Sequence, residues 1–280
     1  MKQQRYDSGK ILLIILACTA LINAATVDTV LIYSKTMQKE IKAVVVQPDR
    51  VRKTEQMNYP VLYLLHGWSG SYRDWSNHTD LKPLVETYQL IIVCPDGGYA
   101  GWYLDSPVNE DSQYETYVAR EVVQYIDKHY PTLADSVHRA ICGLSMGGHG
   151  AISLLCKYPD VFGAASSMSG VMTLDDPNRR AGLKDVLGSF ESNQILWEKN
   201  SCLYLVYKLR GKNKALLFDC GIEDFCLSGN RRIHQKLLEL GITHEYYERP
   251  GGHKWEYWVN ALEYHLLFFK KFWQAPINPN

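Results

Sequence analysis

The pentapeptide Gly143-Leu144-Ser145-Met146-Gly147 constrains this chain more than any other feature. Glycines two residues to either side of a serine let the backbone turn sharply and push the hydroxyl outward. Composition alone produces such a pattern in about one chain of this length in ten, so the flanking sequence carries the argument. Arg139-Ala-Ile-Cys142 reads as a buried incoming strand, and Met146 to Tyr158 as an outgoing helix. A glycine-rich helix start capped by its serine is the plainer alternative, but it leaves the incoming strand unexplained.

The rest of the chain repeats the strand–helix alternation. Runs rich in β-branched and aromatic residues recur at 27–33, 41–46, 61–65, 90–94, 139–142, 164–168, 215–218 and 244–247. Those beginning at Val61, Leu90, Arg139 and Ala215 are apolar with little alternation, as strands covered on both faces require. Tyr114, Tyr117, Val118, Val122, Tyr125 and Ile126 recur at helical steps before Pro131, and 151–158, 231–240 and 255–272 read likewise as helices. The pattern predicts an α/β fold with a mostly parallel central sheet and helices on both faces. No helix separates the first two strands, which predicts an antiparallel N-terminal edge. Residues 173–211 read either as a small cap or as a surface excursion. Pro95 to Ser112 is a long loop holding Gly97, Gly98, Gly101, Trp102 and Tyr103, and loops of that length in compact domains are commonly functional.

Lys2, Arg5 and Lys10 precede the apolar run Ile11–Leu21, and Ala24 and Ala25 follow. That order predicts a signal peptide over 1–24 and one domain over 25–280, in a secreted or periplasmic protein. Cys18 offers a second address, as a lipoprotein anchor. The run is short for a retained membrane span. Thirty basic residues balance thirty acidic ones, which argues against nucleic acid or an anionic membrane as partner. Oligomeric state has no signature. Beyond the leader, Cys94, Cys142, Cys156, Cys202, Cys220 and Cys226 match no disulfide framework, and only Cys220 with Cys226 invites a test for a bridge. Neither a CxxC pair nor an HExxH helix appears, so no metal or cofactor is expected.

A serine hydroxyl needs a base, and the base an orienting carboxylate. Of the histidines after Ser145, His234 and His265 fall in helical runs and His244 on a strand. His253 follows Pro250-Gly251-Gly252 on a loop beyond the last strand, where a base reaches the serine. Asp219, Glu223 and Asp224 compete as the acid; Asp224 lies farther out on its loop, whereas Asp219 at the strand end braces the turn. Asp105 and Asp175-Asp176 read as solvated or loop-bracing. The expected oxyanion donors are the backbone N–H groups of Met146 and Trp68, with Gly67 allowing close approach and His66 holding the loop by hydrogen bonding. Gly67, Trp102 and Tyr103 are candidate substrate-binding residues; for the aromatics the plainer alternative is packing.

These motifs in order resemble the esterase D family of α/β hydrolases: Leu64-Leu-His-Gly-Trp68 with Trp75, Pro95-Asp-Gly97 with Gly101-Trp-Tyr103, Gly143-Leu-Ser-Met-Gly-Gly148, Asp219-x-Gly-x-x-Asp224, and Gly252-His253 with Trp258. The likeness covers residues 41–273. It implies the α/β-hydrolase fold and places the acid at the second aspartate, Asp224, beside Ser145 and His253. It further implies a serine carboxylesterase for short acyl or aryl esters, with acetyl or feruloyl esters of plant polysaccharides as candidates. Two other readings stay open: transfer of the acyl group to a sugar alcohol, and a silent carbohydrate-binding protein on the same scaffold.

Overall fold

The computed structural model describes residues 25–49, 57–175 and 180–275. The predicted signal peptide and Cys18 lie outside the described residues. Eight strands form one sheet in the order β1-β2-β4-β3-β5-β6-β7-β8. They are β1 (Thr26–Ser34), β2 (Lys39–Gln47), β3 (Val61–Leu65), β4 (Ile91–Pro95), β5 (Arg139–Leu144), β6 (Ala164–Met168), β7 (Ala215–Gly221) and β8 (Glu245–Arg249). The hairpin β1–β2 is antiparallel, and β2 meets β4 antiparallel as well. Every other pairing is parallel. The expected antiparallel edge is thus present, and all eight expected strands occur within a few residues of their anticipated limits.

The unbroken apolar runs follow from two-sided burial. Val61, Tyr63 and Leu65 point into one core, whereas Leu62 and Leu64 point into the other. On the first face lie α3 (Tyr114–Thr116), which continues through a π-helical segment (Tyr117–Val122) into α4 (Val123–His129), then α5 (Met146–Lys157) and α9 (Leu227–Glu239). The second face is covered by α1 (Asp74–His78), α2 (Lys82–Tyr88) and α10 (Trp255–Gln274). The π segment buries Tyr117, Val118, Ala119 and Val122 together. An inserted residue of this kind widens the buried face beyond a regular helical stripe, so the sequence period alone predicted a plain helix.

The segment 173–211 contains α6 (Leu183–Leu187), α7 (Phe190–Asn200), α8 (Cys202–Leu205) and a 3-10 turn (Val206–Leu209). Leu183, Leu187, Trp197, Cys202 and Leu205 join the first core, so this excursion is packed onto the domain. Among the described residues, no helix is long and apolar enough to cross a membrane. The six cysteines from Cys94 to Cys226 are buried and unbridged, including the Cys220 and Cys226 pair.

Candidate active site

Ser145 stands between β5 and α5 with φ 53° and ψ −116°, a conformation costly for a non-glycine residue. Its neighbours make that turn sterically feasible. A Cβ on Gly143 would collide with the backbone of Gly147, and one on Gly147 would lie 2.5 Å from the His66 carbonyl. Both flanking glycines are therefore required by close backbone packing, not merely by flexibility. The Ser145 N–H donates to Met168 O at 3.0 Å, and its carbonyl accepts from His149 N–H and Val171 N–H. Strand β6 and the start of α5 thus hold the strained residue from both sides.

Two further loops bring the histidine and the carboxylate to it. Asp224 lies beyond β7 and His253 beyond β8, and the loops are laced together. Ile222 N–H donates to Arg249 O, and Glu223 N–H donates to Gly251 O at 3.0 Å. A side chain at Gly221 would strike the Gly251 carbonyl, so glycine permits this approach. His253 Nδ1 is 2.9 Å from Asp224 Oδ2 and 3.0 Å from Oδ1, and its Nε2 is 2.9 Å from Ser145 Oγ. An ionised carboxylate only accepts, so Nδ1 carries the proton and Nε2 accepts from the serine hydroxyl. Burial opposes ionisation of Asp224, but the hydrogen bond and charge of His253 and the Cys226 N–H outweigh it. Its carboxyl is consequently held below the ordinary aspartate value. The imidazole is fixed from two sides, by Phe225 at 4.3 Å between ring centroids and by Trp258, perpendicular at 4.9 Å.

The competing acids go elsewhere. Asp219 is fully buried, paired with Arg249 and 3.3 Å from His265 Nε2. Glu223 is exposed. Asp105 accepts from Thr116, and Asp175 pairs with Arg232, both loop-bracing as expected. His234 and His244 bond to each other at 2.7 Å, and neither lines the cleft over Ser145.

A cleft of about 770 Å³ opens over Ser145, walled by Gly67, Trp68, Met146, Trp102, Phe225 and Trp255. A Cβ on Gly67 would lie 3.6 Å from Ser145 Cβ, so the Gly67–Trp68 backbone runs alongside the hydroxyl. His66 anchors that loop, with Nδ1 2.8 Å from Gly67 O and Nε2 accepting the Gly97 N–H at 2.8 Å. Burial depresses its pKa, which suits the neutral imidazole these bonds need. Trp102 closes the cleft from within, its indole N–H donating to Ala181 O in the 173–211 segment.

Tyr103 departs from expectation. It does not line the cleft; it is fully buried, and its hydroxyl donates to His66 O at 3.1 Å. Consecutive left-handed residues, Trp102 and Tyr103 at φ 54° and 55°, turn the ring inward, and Gly97 and Gly150 leave the space it fills. Its role is to support the Gly67 loop. A larger groove, about 1100 Å³, runs between α7–α8 and α9, but Ser145, His253 and Asp224 do not line it.

The family model described as a putative esterase matches residues 34–269. The chain belongs to this esterase family. It is 32% identical over 238 residues to an esterase of Mycobacterium tuberculosis, covering 75% of this chain and 51% of that protein. The esterase-family chain thus spans about half the length of that relative. Against an acetyl esterase of Caldicellulosiruptor saccharolyticus the identity is 28% over 257 residues, with 83% and 95% covered. A solved ferulic acid esterase matches with a TM-score of 0.76 at 31% identity, over 89% of this chain and 98% of its own.

Sequence reading missed two cleft residues of this esterase-family chain, Trp255 and His78. Trp255 stacks on His78 at 3.9 Å, and Tyr99 meets Trp68 edge-on at 5.3 Å. Trp255 follows His253 by two residues, a proximity signal that was available. His78 sits on a five-residue polar helix that offers no apolar period.

Proposed function

We propose that this chain is a serine carboxylic ester hydrolase working through an acyl-enzyme, with Ser145 as nucleophile, His253 as general base and Asp224 as the carboxylate that orients it. The observation that carries this reading is the continuous hydrogen-bonded chain from Asp224 through His253 to Ser145 Oγ at the floor of a cleft. As Oγ attacks the ester carbonyl carbon, its proton passes to His253 Nε2, and Asp224 stabilises the resulting imidazolium. The carbonyl oxygen becomes an oxyanion facing the Met146 and Trp68 N–H groups. Collapse of the intermediate breaks the bond to the alcohol oxygen, which takes the proton from Nε2. Water, deprotonated by the same nitrogen, then attacks the acyl carbon; the bond to Ser145 Oγ breaks, Oγ takes the proton back from Nε2, and the acid leaves.

The aromatic walls, with Trp68 44% and Phe225 50% exposed, favour an aryl acyl group or a sugar alcohol over a charged ligand. The acetyl and ferulic acid esterases among its relatives support the same substrate class. The leader-like residues 1–24 support action outside the cytoplasm, which cell fractionation checks. Turnover of p-nitrophenyl acetate, methyl ferulate and acetylated xylan tests the reading. The wild type is expected to release acid from at least one, and Ser145→Ala from none. Undiminished turnover by a folded Ser145→Ala protein would remove Ser145 from the mechanism.

A further inference from the structure

On the carboxylate side of His253 lies a thiol that ester hydrolysis does not use. Cys226 follows Asp224 by two residues, and its N–H donates to Asp224 Oδ1 at 2.8 Å. That tight turn folds the Cys226 side chain back toward the imidazole. One ligand atom from each of Asp224, Cys226 and His253 lies within 4.8 Å of the others. The thiol is in no disulfide. Asp224 and Cys226 are buried, whereas His253 borders the open cleft and gives an ion a way in.

Carboxylate oxygen, imidazole nitrogen and thiolate sulfur together form the donor set of a borderline-soft cation, not of Mg²⁺ or Ca²⁺. Tetrahedral Zn²⁺ with bonds of about 2.0–2.3 Å places its ligands roughly 3.4 Å apart. The widest separation here must therefore shrink by little more than about 1 Å, the scale of a side-chain rotation. Sequence spacing conceals such a site, because Asp224 and Cys226 stand 27 and more residues before His253.

We propose that Asp224, Cys226 and His253 bind a thiophilic divalent cation of the Zn²⁺ class, and that its occupancy reversibly switches the enzyme off. Binding releases the thiol proton of Cys226 to solvent and shifts the single proton of the neutral His253 ring from Nδ1 to Nε2, which leaves Nδ1 free to coordinate. Sulfur, nitrogen and a carboxylate oxygen become ligands, and water completes the tetrahedron. No electron transfer is involved. The cation takes Asp224 away from its hydrogen bond and leaves Nε2 protonated, so His253 can no longer take the proton of Ser145. The inhibitory consequence rests on the proposed role of His253; the binding itself does not.

Two measurements on the chelator-treated full chain test the site. Cd²⁺ added to the wild type is expected to produce an ultraviolet sulfur-to-metal charge-transfer band, equally in Ser145→Ala and not in Cys226→Ala. Zn²⁺ is expected to cut p-nitrophenyl acetate turnover at least tenfold, reversed by chelator, with less than twofold loss in Cys226→Ala and none from Mg²⁺ in the wild type. The band needs no catalysis, so it reads the metal site even in a chain that turns over no ester. Absence of the band in an active wild type overturns the site and spares the hydrolytic reading. Equal Zn²⁺ inhibition of the wild type and Cys226→Ala overturns it too. Should Cys226→Ala not fold, the presence or absence of the wild-type band decides alone.

Discussion

Among the described residues, two groupings of a serine, a histidine and an aspartate stand in contrast: one opens onto a cleft and the other is buried. Ser145, His253 and Asp224 meet on three loops beyond the carboxyl ends of β5, β8 and β7. Ser166, His265 and Asp219 meet beneath them, inside β6, α10 and β7, each with no exposed surface. The ring is used in opposite senses. In the open set Nδ1 faces the carboxylate and Nε2 the hydroxyl. In the buried set Nδ1 bonds Ser166 Oγ at 2.8 Å, while Nε2 is 3.3 Å from Asp219 without a hydrogen bond. Arg249 also engages Asp219 and lies over the Tyr264 ring at 4.1 Å. The same three residue types therefore do different work. A strained serine in a cleft, aligned with its base, suits acyl transfer; the buried set ties α10 to β6, β7 and β8.

That contrast is open to mutation. The largest expected effect is Ser145→Ala, a loss of turnover of about 10⁶-fold, on the scale of ~8 kcal/mol, with an unchanged melting temperature. Asp224→Asn should lose about 10⁴-fold, ~5 kcal/mol, because the amide no longer holds the Nδ1–H tautomer of His253. Steady-state kinetics beside circular dichroism separates both from misfolding. In the buried set the readout should reverse. Asp219→Ala is expected to cost about 3 kcal/mol of stability in urea unfolding, by stranding Arg249 and leaving His265 without its carboxylate neighbour. Turnover per folded molecule should stay within severalfold. Ser166→Ala is the mildest, about 1–2 kcal/mol for one lost buried hydrogen bond, with kcat unchanged. A large kcat loss in folded Ser166→Ala would break the division between the two sets.

Most of the scaffold was legible because its central strands are buried on both faces, which leaves uninterrupted apolar runs such as Val61-Leu-Tyr-Leu-Leu65. The serine was legible because its turn demands glycine at two fixed positions. The acid was not, from residues alone. Asp219 and Asp224 lie five apart, and which of them meets the histidine depends on β7 running on to Gly221, three residues beyond its apolar stretch. Only the family resemblance favoured Asp224 decisively. Tyr103 misled because a glycine-rich loop does not reveal which way its aromatics turn; two left-handed residues bury that ring. The Ser166–His265–Asp219 grouping joins three elements, and its members have no spacing in common with one another. His265 was readable as a buried helical histidine, but its partners come only from tertiary packing.

The central claim concerns one hydroxyl out of many. Treating the folded protein with a fluorophosphonate and mapping the adduct by peptide mass spectrometry tests it most directly. The account predicts a single modified serine, at position 145, and loss of labelling in Asp224→Asn or after substitution of His253. An adduct at Ser166, or an ester-hydrolysing protein that takes no label at Ser145, would contradict it.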